Sequence, residues 1–246
     1  MKNQKGFTLV ELAIVMIIIG LLLGGVLKGA EMIENARVTS TITQLKGYQS
    51  ALVSFQDIYA AVPGDMNNAT TRVPGCVAPC ENGNGNSIVG TSGAANGDVT
   101  IQAGASASAG AEGLLFWKHL ALADLISGVD TTAALAATII PGSTNPKSPY
   151  GGALNIFSSE GATYQPGLVI MISNVTTGAY AGTAGQRVLP ALRLSQIDTK
   201  LDDGRGNTGS VEGTPLGAAA GDCSTAAGVY ANSKVKDCNL SFALGY

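Results

Sequence analysis

Residues 6–20 read GFTLVELAIVMIIIG, and a single acidic side chain, Glu11, interrupts that apolar run. The stretch stays apolar as far as Leu27, so Phe7–Leu27 carries one charge in 21 residues. A bilayer core takes about 20 apolar residues in helical form, so the run predicts a membrane-crossing helix. Ahead of it lies MKNQKG, short and basic through Lys2 and Lys5. Those lysines are expected to hold the N-terminus on the cytoplasmic side and leave the remainder of the chain outside.

Three processing routes fit such an N-terminus unequally. A cleaved secretory signal has an apolar region of about 7–15 residues followed by a small-x-small cleavage site. This run is longer, and the GGVLKGAEM that ends it offers no such site. A plain signal anchor leaves Glu11 unexplained, because a carboxylate within an apolar helix costs about 2.5–3.5 kcal/mol. A cut between Gly6 and Phe7 supplies what Glu11 lacks. It creates an α-amino group at Phe7 and makes Glu11 the fifth residue of the mature chain. The amine of one subunit can then neutralise the Glu11 of a neighbour whose helix is offset along the axis, and removing either member would strand the other.

The helical pattern continues beyond the apolar run. Val38, Ile42, Leu45, Tyr48, Leu52, Phe55 and Tyr59 recur at steps of three and four, which is one face of an amphipathic helix. Pro63-Gly64 ends it. The spacing therefore predicts one helix from Phe7 to about Tyr59, apolar all round in its first half and amphipathic in its second.

The segment GFTLVELAIVMIIIG, behind its short basic leader, resembles the N-terminal segment of type IV pilins and type II secretion pseudopilins. The resemblance covers about the first 30 residues. It implies cleavage after Gly6 and N-methylation of Phe7 by the prepilin peptidase, then polymerisation around a core of N-terminal helices with Glu11 as the assembly group. It further implies an α+β pilin fold in which the long N-terminal helix packs on an antiparallel sheet. The chain then divides into a leader (1–6), a transmembrane and filament-core half-helix (7–30), an amphipathic half-helix (31–62) and a globular head (63–246). Many relatives carry a helix-kinking Pro where this chain has Lys28. The glycines Gly20, Gly24, Gly25 and Gly29 offer a substitute weak point, each costing about 0.8–1.0 kcal/mol relative to Ala within a helix. They equally form two GxxxG patterns that let helices approach closely.

The head reads as follows. Residues 63–111 are rich in Gly, Asn, Ala, Ser and Thr and predict a long loop region. Glu112–Ile126 predicts an amphipathic helix with Trp117 as a core anchor; His119 reads as a surface or capping residue. Gly152–Phe157 and Leu168–Ile172 predict strands, Val188–Leu201 a short helix, and Val211 and Val229–Tyr230 further strands. VPGDMNNAT, NGNGNSI and IDTKLDDG are similar to phrases of large bacterial pilin-like proteins.

Composition narrows the chemistry. The chain has 246 residues, 13% of them charged, with 14 basic and 17 acidic side chains, so it lacks a basic footprint for nucleic acid. Cleavage after Gly6 removes Lys2 and Lys5 and leaves 12 basic against 17 acidic residues, a net charge of −5. Lys147, Lys234 and Lys236 are isolated cations, and no specific nucleic-acid partner is expected. One His and no P-loop, nucleophile elbow or zinc-protease motif argue against an enzyme, and no cofactor is expected. Cys76, Cys80, Cys223 and Cys238 allow three pairings. The favoured one joins Cys76 to Cys80 and Cys223 to Cys238, the latter closing a loop that resembles the disulfide-bounded C-terminal loop of type IV pilins. Asp198, Asp202 and Asp203, or Glu81 with Asn84 and Asn86, offer oxygens to calcium, although ordinary Asx turns are the favoured reading.

The expectation is thus a structural subunit of a type IV pilus. It would be a homo-oligomer, held in the inner membrane as a precursor, cut by the prepilin peptidase and polymerised by pilus assembly machinery into an extracellular filament. A periplasm-facing pseudopilin of a type II secretion system is the alternative, and a non-polymerising anchored binding protein the second.

Overall fold

The computed structural model describes residues 8–90, 99–100, 112–135, 138–159, 165–174, 179–180, 184–214, 223–225 and 227–245. The chain divides into two compact units, Met1–Thr39 and Ser40–Tyr246. In chain order the helices are α1 (Leu9–Tyr59), α2 (Ala69–Arg72), α3 (Glu112–Leu122) and α4 (Ala191–Leu201). The strands are β1 (Val99–Thr100), β2 (Ala153–Ser159), β3 (Gly167–Ser173), β4 (Ala179–Tyr180), β5 (Leu189–Pro190), β6 (Val211–Thr214) and β7 (Lys236–Ala243).

The described part of the first unit is the first half of α1. From Leu9 to Leu27 its large apolar side chains are exposed on every side. It holds one stretch long and apolar enough to cross a membrane.

The second unit is α+β. Its sheet runs β2-β3-β7-β5, with β6 also paired to β7, and every pairing is antiparallel. Register places Leu154, Ile172 and Leu240 in one row and Ile156, Ile170 and Phe242 in the next. All six are buried. The opposite face contributes Ala153, Phe157, Val169 and Met171 to a cluster with Leu114 of α3 and Ile139. Both faces are therefore covered, and β2 and β3 read as nearly continuous apolar runs instead of alternating ones. The second half of α1 buries Leu45, Tyr48, Leu52, Phe55 and Tyr59, the stripe that the three-and-four spacing marks. Tyr48 meets Trp117 of α3 edge-on with ring centres 5.0 Å apart, and Trp117 is fully buried. Gln49 donates to the Leu244 carbonyl (3.0 Å), tying α1 to the end of β7.

Several elements differ from the sequence reading. The α3 helix stops at Leu122, because Asp124 takes a left-handed conformation (φ 59°). Leu189 and Pro190 join β7, so α4 begins at Ala191 and not at Val188. Tyr230 makes an isolated bridge to Ser224 and not a strand with Val229. The long β7, which pairs with three other strands, was not foreseen.

Disulfides join Cys76 to Cys80 and Cys223 to Cys238. The second closes a 16-residue loop, counting both ends, from a sequence separation of 15. In the chain-entropy account, closing a loop of that length constrains the unfolded chain by about 3 kcal/mol. The double variant Cys223→Ser/Cys238→Ser is accordingly expected to lose about 3 kcal/mol of stability. Urea titration of the full chain in detergent, with and without reductant, checks this. An unchanged midpoint would count against it.

Candidate functional site

The N-terminal segment carries the one charged group of its apolar run. Glu11 lies in the first turn of α1. Its Oε2 accepts hydrogen bonds from the backbone N–H and the hydroxyl of Thr8, both at 2.8 Å. In return the Glu11 N–H donates to the Thr8 hydroxyl oxygen (3.3 Å). This is a reciprocal capping box, T-x-x-E, which satisfies N–H groups that the first helical turn leaves unpaired. Beside the assembly role expected of Glu11, Thr8-x-x-Glu11 is the sequence signature of this local function.

Capping does not supply a counter-charge. Among the described residues the ion pairs are Lys28 with Glu31 and Glu34 with Arg37, and Glu11 belongs to neither. Gly6 and Phe7, the two sides of the expected cut, lie outside the described residues. A Cβ added at Gly20, Gly24, Gly25 or Gly29 would meet nothing within 4 Å. The packing of a single chain therefore does not require these glycines. What they provide must be intermolecular approach or ease of unwinding.

Within the head, the sequence candidates fall out differently. His119 is fully buried and not at the surface, which corrects the expectation. Its Nδ1 accepts from the Gly64 N–H (3.0 Å), so its Nε2 carries the proton and donates to the Glu81 carbonyl at 3.0 Å. Burial pushes its pKa down to about 4; the Glu81 hydrogen bond opposes the shift and the neighbouring Lys118 charge assists it. His119 is thus a neutral strut between two loop segments. Cys76, Cys80 and His119 offer ligand atoms within 4.8 Å of one another, but the two sulfurs are bonded to each other and are not thiolates.

Asp198, Asp202 and Asp203 also converge within 4.8 Å, and each accepts hydrogen bonds from within the chain. Asp198 accepts from the Tyr230 hydroxyl (2.7 Å) and the Gly204 N–H (3.1 Å). Asp202 accepts from Ser210 and Val211 N–H groups, and Asp203 from the Arg205 N–H (2.8 Å) and the Thr208 hydroxyl (2.6 Å). Asp198 is fully buried. Burial raises its pKa to about 6 against the lowering hydrogen bonds of Tyr230 and Gly204, with Asp203 and Asp202 adding repulsion. The oxygens of Asn84 and Asn86 each accept an N–H two residues on, at 2.9 Å, in consecutive Asx turns. Lys147, Lys234 and Lys236 are exposed.

An acidic clamp in this region also escaped the sequence reading. The buried Asp65 carboxylate accepts the N–H groups of Asn86 and Ser87, both at 2.9 Å. The buried Glu112 carboxylate, at the start of α3, accepts those of Asn84 (3.1 Å) and Gly90 (3.0 Å). Burial raises the pKa of Glu112, these two hydrogen bonds lower it, and the Asp65 charge raises it further. Two carboxylates far apart in sequence thereby fix the NGNGNSI segment.

The family profile for the prokaryotic N-terminal methylation motif matches residues 1–27. This is the prepilin-type cleavage and methylation segment of the type IV pilin and pseudopilin family. No curated protein matches the chain, and no solved structure does.

Proposed function

We propose that this chain, whose N-terminus is the prepilin-type segment of type IV pilins and pseudopilins, is a structural subunit of a type IV pilus filament. The motif supports a type IV pilin-like or pseudopilin protein, and the α+β architecture with its long N-terminal helix fits the pilin fold. The motif implies processing by the prepilin peptidase and assembly into pilus or secretion machinery. The exposed apolar helix and the motif fit a membrane-anchored precursor.

The observation that carries the proposal is Glu11, a carboxylate without a cationic partner among the described residues, placed in a helix whose apolar side chains are exposed all round. Each such side chain gains about 1.5–3 kcal/mol on burial, so the helix demands either lipid or other helices. Cleavage at Gly6–Phe7 would deliver the missing cation at the mature N-terminus, four residues before Glu11. In the polymer, the Phe7 amine of one subunit pairs with the Glu11 of the next. A type II secretion pseudopilin shares this N-terminal chemistry. The size of the head and its C-terminal disulfide loop favour the pilin.

Mass spectrometry of the N-terminal peptide, from protein sheared off the cell surface, tests the reading. The expected peptide begins at N-methylated Phe7 and is abundant in long fibres. A peptide beginning at Met1, or after the apolar run, would overturn it. Correct processing without surface fibres would move the assignment to a pseudopilin.

A further inference from the structure

At the C-terminal end of α1 the head carries a cleft of about 420 Å³, within the range of about 300–1,000 Å³ in which small ligands are held. Gln56, Asn67 and Ser87 line it beside the buried Asp65. We propose that this cleft is a binding site for an uncharged saccharide, held by the side chains of Gln56, Asn67 and Ser87.

Three observations carry the assignment. First, the polar atoms of these three side chains are not spent on hydrogen bonds within the described residues. Two amides and a hydroxyl both donate and accept, which is what sugar hydroxyls, themselves donors and acceptors, require. Ala61, Val62 and Met66 add apolar atoms to the lining.

Second, the wall is rigid before any ligand arrives. The Asp65 carboxylate fixes the N–H groups of Asn86 and Ser87. The Asp65 and Met66 carbonyls accept from Gly85 and Gly83, both at 2.9 Å. Three non-glycine residues take left-handed backbone conformations among the described residues, and two of them, Ala60 (φ 50°) and Ser87 (φ 66°), line this cleft. Such strain costs of order 1–3 kcal/mol per residue and gathers at ligand sites.

Third, the electrostatics select among ligands. No Lys or Arg lines the cleft. Asp65 is its one carboxylate, and the nearby Arg72 guanidinium is already engaged on the Tyr59 carbonyl at the end of α1 (2.7 Å). A phosphate or an acidic sugar finds no cation in this lining and meets the Asp65 charge. A calcium ion would need six to eight oxygens, and the one carboxylate here already accepts two backbone N–H groups.

The test uses the full chain in dodecylphosphocholine micelles, whose headgroup is not a sugar. Saturation-transfer NMR is run with methyl β-glucoside, methyl β-galactoside, N-acetylglucosamine and N-acetylneuraminic acid. Transfer is expected to at least one neutral sugar and not to the acidic one. Asn67→Ala and Ser87→Ala, both exposed in the free chain, are each expected to weaken binding by about 2–10-fold while leaving the unfolding curve unchanged. Gln56→Ala gives an independent third reading. Absence of transfer to every neutral sugar, undiminished transfer in the Asn67→Ala/Ser87→Ala double variant, or stronger transfer to the acidic sugar would each overturn the proposal. The chain is measured unassembled, so the result stands apart from the filament reading.

Discussion

Glu11→Ala is expected to leave membrane insertion intact and to lower the yield of sheared filaments at least about tenfold. Removing the carboxylate takes away an insertion cost of about 2.5–3.5 kcal/mol, so the variant helix enters the bilayer at least as readily. What it loses, on the proposed reading, is the group that the Phe7 amine of a neighbouring subunit meets at every contact along the polymer. A loss of about 1.4 kcal/mol per contact is a factor of ten in each association step. Glu11 also closes the capping box with Thr8, and that contribution, typically about 1 kcal/mol, must be separated. Thr8→Ala removes the hydroxyl and keeps the charge, so it is expected to retain filaments. Fibre yield by shearing, normalised to membrane-bound precursor, decides the matter. A normal yield from Glu11→Ala would sink the assembly role, and an equal loss in Thr8→Ala would reassign the effect to helix capping.

The second large effect is a pair of opposed titrations within the head. His119 titrates near 4 in the fold against about 6.5 in an unfolded chain. Its contribution is therefore complete above pH 6.5 and is lost as pH falls towards 4, by about 3 kcal/mol. Asp198 titrates near 6 in the fold against about 3.9 unfolded. Its sign is reversed: stability is fullest below pH 3.9 and is lost as pH rises through 6, by about 2–3 kcal/mol. The two slopes largely cancel between pH 4 and 6.5. Asp198→Asn is expected to expose the His119 loss, making stability fall steeply with acid. His119→Gln is expected to expose the Asp198 gain. The two variants should diverge by about 5 kcal/mol in their change between pH 7 and pH 4. Urea unfolding of the full chain in detergent at several pH values reads the slopes, whatever each substitution costs at a single pH. Parallel slopes in the two variants would refute the assignment.

The sequence made some of this visible because the signals are local. Leu45, Tyr48, Leu52, Phe55 and Tyr59 carry the period of a helix with one buried face, and that face is buried. The cores of β2 and β3 are runs of large apolar residues that need no partner to be noticed. The β7 strand hid because its second face is polar. Asn239 and Ser241 alternate with Cys238, Leu240 and Phe242, and such a pattern suggests a solvent-facing side. Both are buried, because the sheet is covered on each face. The clamp was hidden for a different reason. Asp65 and Glu112 act on Asn84, Asn86, Ser87 and Gly90 from 21 to 28 residues away, and nothing in a Gly- and Asn-rich stretch announces a distant carboxylate. His119 resembled a surface residue because its two partners are a backbone N–H and a carbonyl, which sequence does not label. Glu11 stood out as a charge in an apolar run, whereas Thr8, its cap, looked like one more small residue.

The way Thr8 holds Glu11 bears on the order of events at the membrane. Both Thr8 donors go to Oε2, and among the described residues no hydrogen bond is made to Oε1. On the proposed reading, that second oxygen is where an arriving amine settles. Joining the proposed polymer is then an addition and not an exchange: the helix end stays intact while the newcomer docks, and no bond has to break first. On that reading a subunit waiting in the bilayer is already half-latched, its carboxylate steadied at one oxygen by Thr8.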